Sequence, residues 1–370
     1  MNDPTLKARH PQADALNAIC PYWTMFPLSF PLGMLADARS GEWVLDPFCG
    51  RGTTLYAARK LGLPAVGIDS NEVAAAIAAA KLVSVDPGSI VELAEEIIAG
   101  GSAAAPPEGE FWHWCFGPRV LDVLCRLRAG LAHRGDAPAV ALRGVLMGAL
   151  HGPRNKGLPS YLSNQMPRTY ATKPKGAVSF WKARDMRPVE VDVLAIIRRH
   201  AERRYASVPP RTRGAVYGGD ALTVMARLRR RFTWVITSPP YPGMVTYRPD
   251  GWLRGWLLGG SPAPDYNRDA QLGSMTGARF VAGLAEIWAA AARRCVPGAR
   301  LIVRFGALPS ARRGEPEDLL LSSLECSGAW KVATIEDAGI PKRVGSRQVE
   351  QALPAGTHVP EVDVVAIRRS

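Results

Sequence analysis

The stretch that most constrains this chain is a block of two short apolar segments separated by a glycine turn and an amphipathic segment. Val44-Leu45-Asp46-Pro47-Phe48-Cys49-Gly50-Arg51-Gly52-Thr53-Thr54 runs into Leu55-Tyr56-Ala57-Ala58-Arg59-Lys60-Leu61. The pattern predicts a buried strand, a turn and then a helix. Gly50 and Gly52 let the backbone pass close to a ligand, because neither carries a Cβ. The dinucleotide fingerprint G-x-G-x-x-G is absent here, since only two glycines occupy the turn. A second apolar segment, Ala65-Val66-Gly67-Ile68, ends at Asp69. A carboxylate at that strand end suits the two hydroxyls of a ribose. Strand, glycine turn, helix, strand and Asp together indicate an adenosine-containing cofactor that need not carry a phosphate.

Far downstream the apolar run Trp234-Val235-Ile236 ends in Thr237-Ser238-Pro239-Pro240-Tyr241. Consecutive prolines supply no N–H donors, so the carbonyls here are free to accept from an NH2 group. A hydroxyl, a proline-fixed carbonyl and an aromatic ring close together suit the alkylation of an exocyclic nitrogen on a planar base. Taken alone, Pro-Pro-Tyr reads first as an ordinary loop after a strand. Its pairing with the upstream block is what gives it weight.

Asp46 to Thr54 resembles the cofactor motif of the S-adenosylmethionine-dependent DNA amino-methyltransferases, a D-P-F-x-G-x-G-T-T pattern. Ser238-Pro239-Pro240-Tyr241 is similar to the catalytic motif of that family. Gly219-Asp220-Ala221 stands where the family keeps an acidic residue near the cofactor adenine. Phe26-Pro27 and Phe30-Pro31 resemble the segment that covers the methionine end of the cofactor. The resemblance spans roughly residues 20–82 and 214–370. It implies a Rossmann-like α/β fold: a seven-stranded mixed sheet flanked by helices, with an antiparallel hairpin at one edge.

The same resemblance implies S-adenosyl-L-methionine as cofactor, held by Phe26, Asp46, Pro47, Phe48, Gly50, Gly52, Thr53, Thr54, Asp69 and Asp220. The catalytic set is Ser238, Pro239, Pro240 and Tyr241. Ser238 Oγ and the Pro239 carbonyl would accept from the two amine N–H groups, and Tyr241 would stack on the base during in-line transfer. A target inside a duplex must first be flipped out. No metal and no covalent intermediate is needed. Serine at the first motif position leans toward cytosine N4 in this family, with adenine N6 left open. The segment Trp252–Gly259 resembles one found in cytosine-N4 enzymes and could equally be a lid helix. Arg347-Gln348, within 341–351, resembles a polar loop beside the target-base pocket.

Charge adds a partner. The formal net charge is +13, which favours a polyanion. Most of the surplus falls in residues 151–213. The stretch from Gly152 to Tyr170 interleaves cations with prolines, amides, hydroxyls and aromatics. With the two lysines that follow, it predicts contact with duplex DNA through Arg154, Lys156, Asn164, Gln165, Arg168, Lys173 and Lys175, with phosphates taken by the cations and base edges by the amides. A cofactor lid is the competing reading of this loop. Arg198, Arg199, Arg203 and Arg204, on the helical pattern Val189–Tyr205, fit a solvated face.

Three parts follow: cofactor-binding residues 1–84, a helical and basic insertion at 85–213, and catalytic residues 214–370. The insertion falls at an unusual place for the family, so its DNA-recognition role rests on charge and placement. Trp112 and Trp114 are expected in a small hydrophobic core. Six scattered cysteines without a C-x-x-C pair argue against a zinc site and a disulfide framework. Cys49 is expected to be a packing residue. No apolar run is long enough to span a bilayer, and the scattered cysteines fit a reducing cytoplasm, so a cytoplasmic, nucleoid-associated enzyme is expected; a cognate restriction endonuclease acting separately and an enzyme without one are both open. An RNA amino-methyltransferase, a protein-glutamine methyltransferase and a DNA-binding module without catalysis are the rival readings.

Overall fold

In the computed structural model, residues 14–21, 26–100, 105–152, 159–166, 173–242, 247–266, 272, 275–306, 315–339 and 361–369 are described. From the amino end come α1 (Ser29–Met34), β1 (Val44–Asp46), α2 (Thr53–Lys60), β2 (Ala65–Asp69) and α3 (Glu72–Ala80). A helical stretch follows: α4 (Pro87–Gly100), α5 (Glu110–Cys115), α6 (Pro118–Leu131), α7 (Ala137–Ala149), α8 (Pro174–Lys182) and α9 (Val193–Tyr205). Then come β3 (Gly214–Gly218), α10 (Ala221–Arg227), β4 (Phe232–Thr237), α11 (Tyr247–Asp250) and α12 (Trp252–Leu257). The chain closes with α13 (Gly277–Arg294), β5 (Cys295–Gly306), α14 (Glu315–Ser327), β6 (Trp330–Gly339) and β7 (Glu361–Arg368).

The seven strands form one sheet in the order β3-β2-β1-β4-β5-β7-β6. Neighbours from β3 to β5 are parallel, whereas β7 runs antiparallel to both β5 and β6. This is a Rossmann-like α/β architecture, a seven-stranded mixed sheet with the antiparallel pair at one edge. Successive residues of the central strands point to opposite faces. Leu45, Val235, Leu301 and Val303 pack with Phe280, Leu284 and Trp288 of α13. Val44, Trp234, Ile236 and Ile302 pack on the other face with Phe30, Leu55, Ala58 and Ala78. Both faces are covered, so the centres of these strands carry apolar residues on both sides rather than alternating.

Two compact units divide the chain: Met1–Pro21, Val83–Pro210 and Asp250–Pro264 form one, and Tyr22–Leu82, Arg211–Pro249 and Asp265–Ser370 form the other. The division differs from a simple three-part reading at two places. The first residues and the segment carrying α12 group with the helices, not with the sheet. In the helical unit, Phe111, Trp112, Trp181, Trp252 and Trp256 form an aromatic cluster with ring separations of 4.6 to 5.8 Å. Trp112 is 2% exposed, so it is core. Trp252 and Trp256 of the same cluster, together with Leu253 and Leu257, put α12 inside this core and remove the lid reading. Asp136 and Asp192 start α7 and α9 by accepting from Ala139 N and Ala195 N.

Among the described residues no cysteine is bridged, and no group of acidic, histidine or cysteine side chains is placed to hold a metal. No described helix is long and apolar enough to cross a membrane.

Candidate active site

The glycine turn is held by its own backbone and by β2. Cys49 N donates to Ile68 O at 2.9 Å, and Gly52 N to Cys49 O at 2.7 Å. Gly50 and Gly52 take φ of +50° and +77°, the left-handed region that favours glycine. A Cβ on Gly52 would also lie 2.8 Å from Ala78 Cβ and 3.0 Å from Ala78 Cα, so the turn sits directly on α3. At Gly50 an added Cβ meets nothing within 4 Å, which leaves that side of the turn open. Cys49 is buried and its thiol is pushed far up by burial, in keeping with a packing role.

Asp69 ends β2 and fastens the turn. Its Oδ2 accepts from Gly50 N at 2.8 Å and its Oδ1 from Asn71 N at 2.8 Å. Burial pushes its carboxyl up to about 6, against the pull of those two N–H groups. A carboxylate has roughly four acceptor positions, so two engaged N–H groups leave room for a ligand's hydroxyls. Asp220 lies beside it, because Gly219 N donates to Asp69 O at 2.9 Å. One oxygen of Asp220 caps α10, accepting from Thr223 N and Thr223 Oγ1 at 2.9 and 3.0 Å.

Two residues expected to touch the cofactor do something else. Asp46 is 1% exposed, and its Oδ1 accepts from Thr237 Oγ1 at 2.6 Å and Phe48 N at 3.2 Å. Thr54 Oγ1 donates to Ile236 O at 3.3 Å. Both side chains are turned into the seam between β1, α2 and β4, where each satisfies a buried polar group instead of a ligand. Their effect is to lock the turn against the strand that ends in Thr237-Ser238. Of the other cofactor candidates, Pro47 is buried. Phe48 lies edge-on to Trp288 at 6.3 Å, and Phe26 edge-on to Phe30 at 5.1 Å. Thr53 Oγ1 is enclosed at the first residue of α2 with no hydrogen-bond partner among the described residues.

The enclosed Asp46 has a measurable consequence. Burial pushes its carboxyl up to about 7, outweighing the Thr237, Thr54 and Phe48 hydrogen bonds. Between about pH 4 and pH 7 the unfolded chain releases a proton that the folded chain keeps, so stability falls as pH rises through that window. Above it the loss is complete. The stability of the wild type minus that of Asp46→Asn should therefore fall with pH by up to about 1.4 kcal/mol per unit across the window. Urea unfolding at several pH values measures it, and a difference that stays flat would refute an enclosed, neutral Asp46.

Ser238, Pro239, Pro240 and Tyr241 follow β4 directly. Ser238 and Tyr241 are half-buried, and Pro239 is buried. The Tyr241 ring stands edge-on to Phe305 at 5.7 Å, and its hydroxyl donates to Glu361 Oε1 at 3.2 Å. The ring expected to stack on a base is thus tied at its far end to β7. Glu361 itself is raised by burial and restrained by Arg304, whose guanidinium grips Asp363 with two bonds of 2.7 and 2.6 Å and lies 3.9 Å over the Phe30 ring. None of Thr237, Arg304 and Glu361 was anticipated. Thr237 stood in the quoted motif without a role, and nothing in sequence distance connects Glu361 to Tyr241.

The DNA-contact candidates fare unevenly. Asn164 is a correction: it is 3% exposed, and its amide donates to Trp114 O and Met186 O at 3.1 and 2.6 Å while accepting from Gln165 N. That amide binds loop to loop and has no freedom to read a base. Gln165 is half-buried, and its carbonyl accepts from the Trp181 indole. Lys173 and Lys175 are exposed at the start of α8. Arg154, Lys156, Arg168 and the Arg347-Gln348 loop lie outside the described residues. On α9, Arg198 pairs with Glu95 at 3.3 Å and Arg204 donates to Ala15 O at 2.9 Å, so this helix's cations are partly structural.

Comparison with known proteins agrees with the geometry over one part of the chain. Residues 22–80 match a family model described as DNA methylase. No curated protein matches the chain. Among solved structures, the rRNA methyltransferase AviRa from Streptomyces viridochromogenes is 14% identical with a TM-score of 0.33, over 98% of this chain and 94% of that one. TrmN from Thermus thermophilus is 12% identical with a TM-score of 0.35, over 98% of this chain and 55% of that one. Likenesses of this size add nothing to the function; the segment similar to a DNA methylase, residues 22–80, is the one that holds the glycine turn and Asp69.

Proposed function

We propose that this protein transfers a methyl group to the exocyclic N4 of cytosine in duplex DNA. The observation that carries the reading is the Asp46–Thr237 hydrogen bond, which fixes the glycine turn against the residue preceding Ser238. The turn and Ser238-Pro239-Pro240-Tyr241 thereby share the carboxyl ends of neighbouring parallel strands, the usual position of a ligand crevice in such sheets.

S-adenosylmethionine is the cofactor, and when bound it supplies an electrophilic methyl group on a sulfonium. The residues present fit it. Asp69 has acceptor capacity left for ribose hydroxyls, the Gly50 side of the turn is open, and Asp220 stands beside Asp69.

An exocyclic amine is a poor nucleophile because its lone pair is delocalised into the ring. Ser238 Oγ and the Pro239 carbonyl accept from its two N–H groups and favour a pyramidal nitrogen. Tyr241, restrained by Glu361 and Phe305, offers a ring of fixed tilt against which the flipped base is aligned. A neutral serine hydroxyl in place of a carboxylate is what favours cytosine.

Incubation with methyl-labelled S-adenosylmethionine and mixed duplex DNA, with bulk RNA in parallel, tests this after digestion to nucleosides. Label in N4-methylcytosine is expected. Label in N6-methyladenine would keep the chemistry and overturn the base, and label only in RNA would overturn the substrate.

A further inference from the structure

The active-site candidates all lie at the carboxyl ends of the parallel strands. The amino ends of the same strands carry a different feature. Trp43, just before β1, accepts from Thr233 N and Trp234 N through its carbonyl. Two guanidinium groups lie over its ring, Arg230 at 5.1 Å and Arg213 at 5.8 Å. Arg300 lies 5.0 Å over the ring of Trp234, its cross-strand neighbour. Further along, Arg231 donates to Arg293 O at 2.7 Å, Arg294 to Ala226 O at 2.6 Å and Arg368 to Cys295 O at 2.9 Å. Arg213 precedes β3, Arg230 and Arg231 precede β4, Arg294 precedes β5, and Arg368 ends the antiparallel β7, so these arginines form a band at the amino ends of the parallel strands.

Among the described residues, none of these arginines makes an ion pair. The carboxylate in the band, Glu42, is occupied by Trp234 Nε1 at 2.7 Å and Arg39 N at 3.0 Å. Glu42 is one counter-charge against six guanidinium groups, so the row keeps a surplus of positive charge, and each guanidinium is held in place by a ring or a carbonyl. Such a row is prearranged for a ligand that brings regularly spaced negative charge. Guanidinium groups suit phosphate oxygens through their planar fork of donors. Exposed large apolar side chains are sparse at this end of the sheet: among the described residues Leu61, in the turn before β2, stands there by itself. Protein interfaces are built around an apolar core, whereas nucleic-acid interfaces are polar and strongly positive.

We propose that this arginine band is a second nucleic-acid surface, which grips the phosphate backbone at the end of the sheet opposite the active site. One chain would then hold two duplex segments, one at the methyl-transfer edge and one beneath it. The surface is independent of the chemistry proposed above.

The test uses the full-length protein and a short random-sequence duplex too small to reach both ends of the sheet. Duplexes bound per chain are counted by sedimentation at low salt for the wild type, for Arg213→Gln/Arg230→Gln/Arg300→Gln, and for the corresponding triple lysine variant. The glutamine variant is expected to bind one duplex fewer, with a log–log salt slope shallower by about 2.7 on a longer duplex. The lysine variant should keep the second duplex, and near-ultraviolet circular dichroism confirms that both are folded. If the glutamine variant unfolds, Arg300→Gln alone must still lower the slope. An unchanged count and slope would overturn the proposal. So would loss of self-association with duplex binding intact, which would assign the band to a second copy of the chain. Methyl transfer to the short duplex is measured alongside: a band that binds in a protein that methylates nothing leaves this surface standing and removes the function.

Discussion

Replacing Ser238 by alanine should lower kcat for methyl transfer by about 10²- to 10³-fold while leaving S-adenosylmethionine affinity near its wild-type value. The hydroxyl follows a strand whose last residue, Thr237, is anchored to the enclosed Asp46, so its position is set by the core rather than by the ligand. A group held that way acts on the amine as charge develops and costs no reorganisation when the reaction occurs. Removing it takes away an acceptor from the transition state and barely touches the cofactor side of the turn. Single-turnover rates and calorimetric cofactor titration separate the two effects. A variant with normal turnover would take Ser238 out of the mechanism. Loss of cofactor binding instead would mean that the substitution disturbs the Asp46–Thr237 seam.

Asp69→Ala has the opposite signature. The substitution removes the acceptor for Gly50 N and Asn71 N and any acceptor offered to the ribose. Two hydrogen bonds to a charged group amount to about 3 to 6 kcal/mol. Cofactor affinity should therefore fall at least about a hundredfold. Asp69→Asn, which keeps one acceptor oxygen, should fall between the two. Equilibrium dialysis with labelled cofactor measures this, and an alanine variant that binds normally would remove Asp69 from the cofactor site. Binding of duplex DNA should persist in both variants.

The central sheet was legible because both its faces are covered, which turns β1, β2, β4 and β5 into apolar runs bounded by glycine, proline or aspartate. The turn was legible for a similar reason: two glycines with positive φ, one of them pressed on Ala78, leave few alternatives. The helices α5 and α10 were not, because six and seven residues span about two turns and carry little periodicity. The site residues divide along another line. A motif gives the residue types in a turn, but not which of them face the ligand. Asp46 and Thr54 face inward because Thr237 and Ile236 meet them there, and those partners lie about half the chain away. Asn164 followed the same course, its amide consumed by Trp114 and Met186. Glu361 was invisible for want of any local pattern, being fixed by strand register at the start of β7.

The path of the chain between β2 and β3 has a consequence for how the protein folds. These strands are neighbours, with Ala65 beside Gly214, yet all of Val83–Pro210 intervenes. The departing and returning ends meet closely, since Ala65 N bonds Arg213 O and Gly214 lies against Leu82. Closing so long an open loop is entropically costly and slow. If the helices condense first, the loop is largely closed before the sheet forms. The helical stretch then serves as a splint, and both the pairing of β3 with β2 and that of β4 with β1 depend on it.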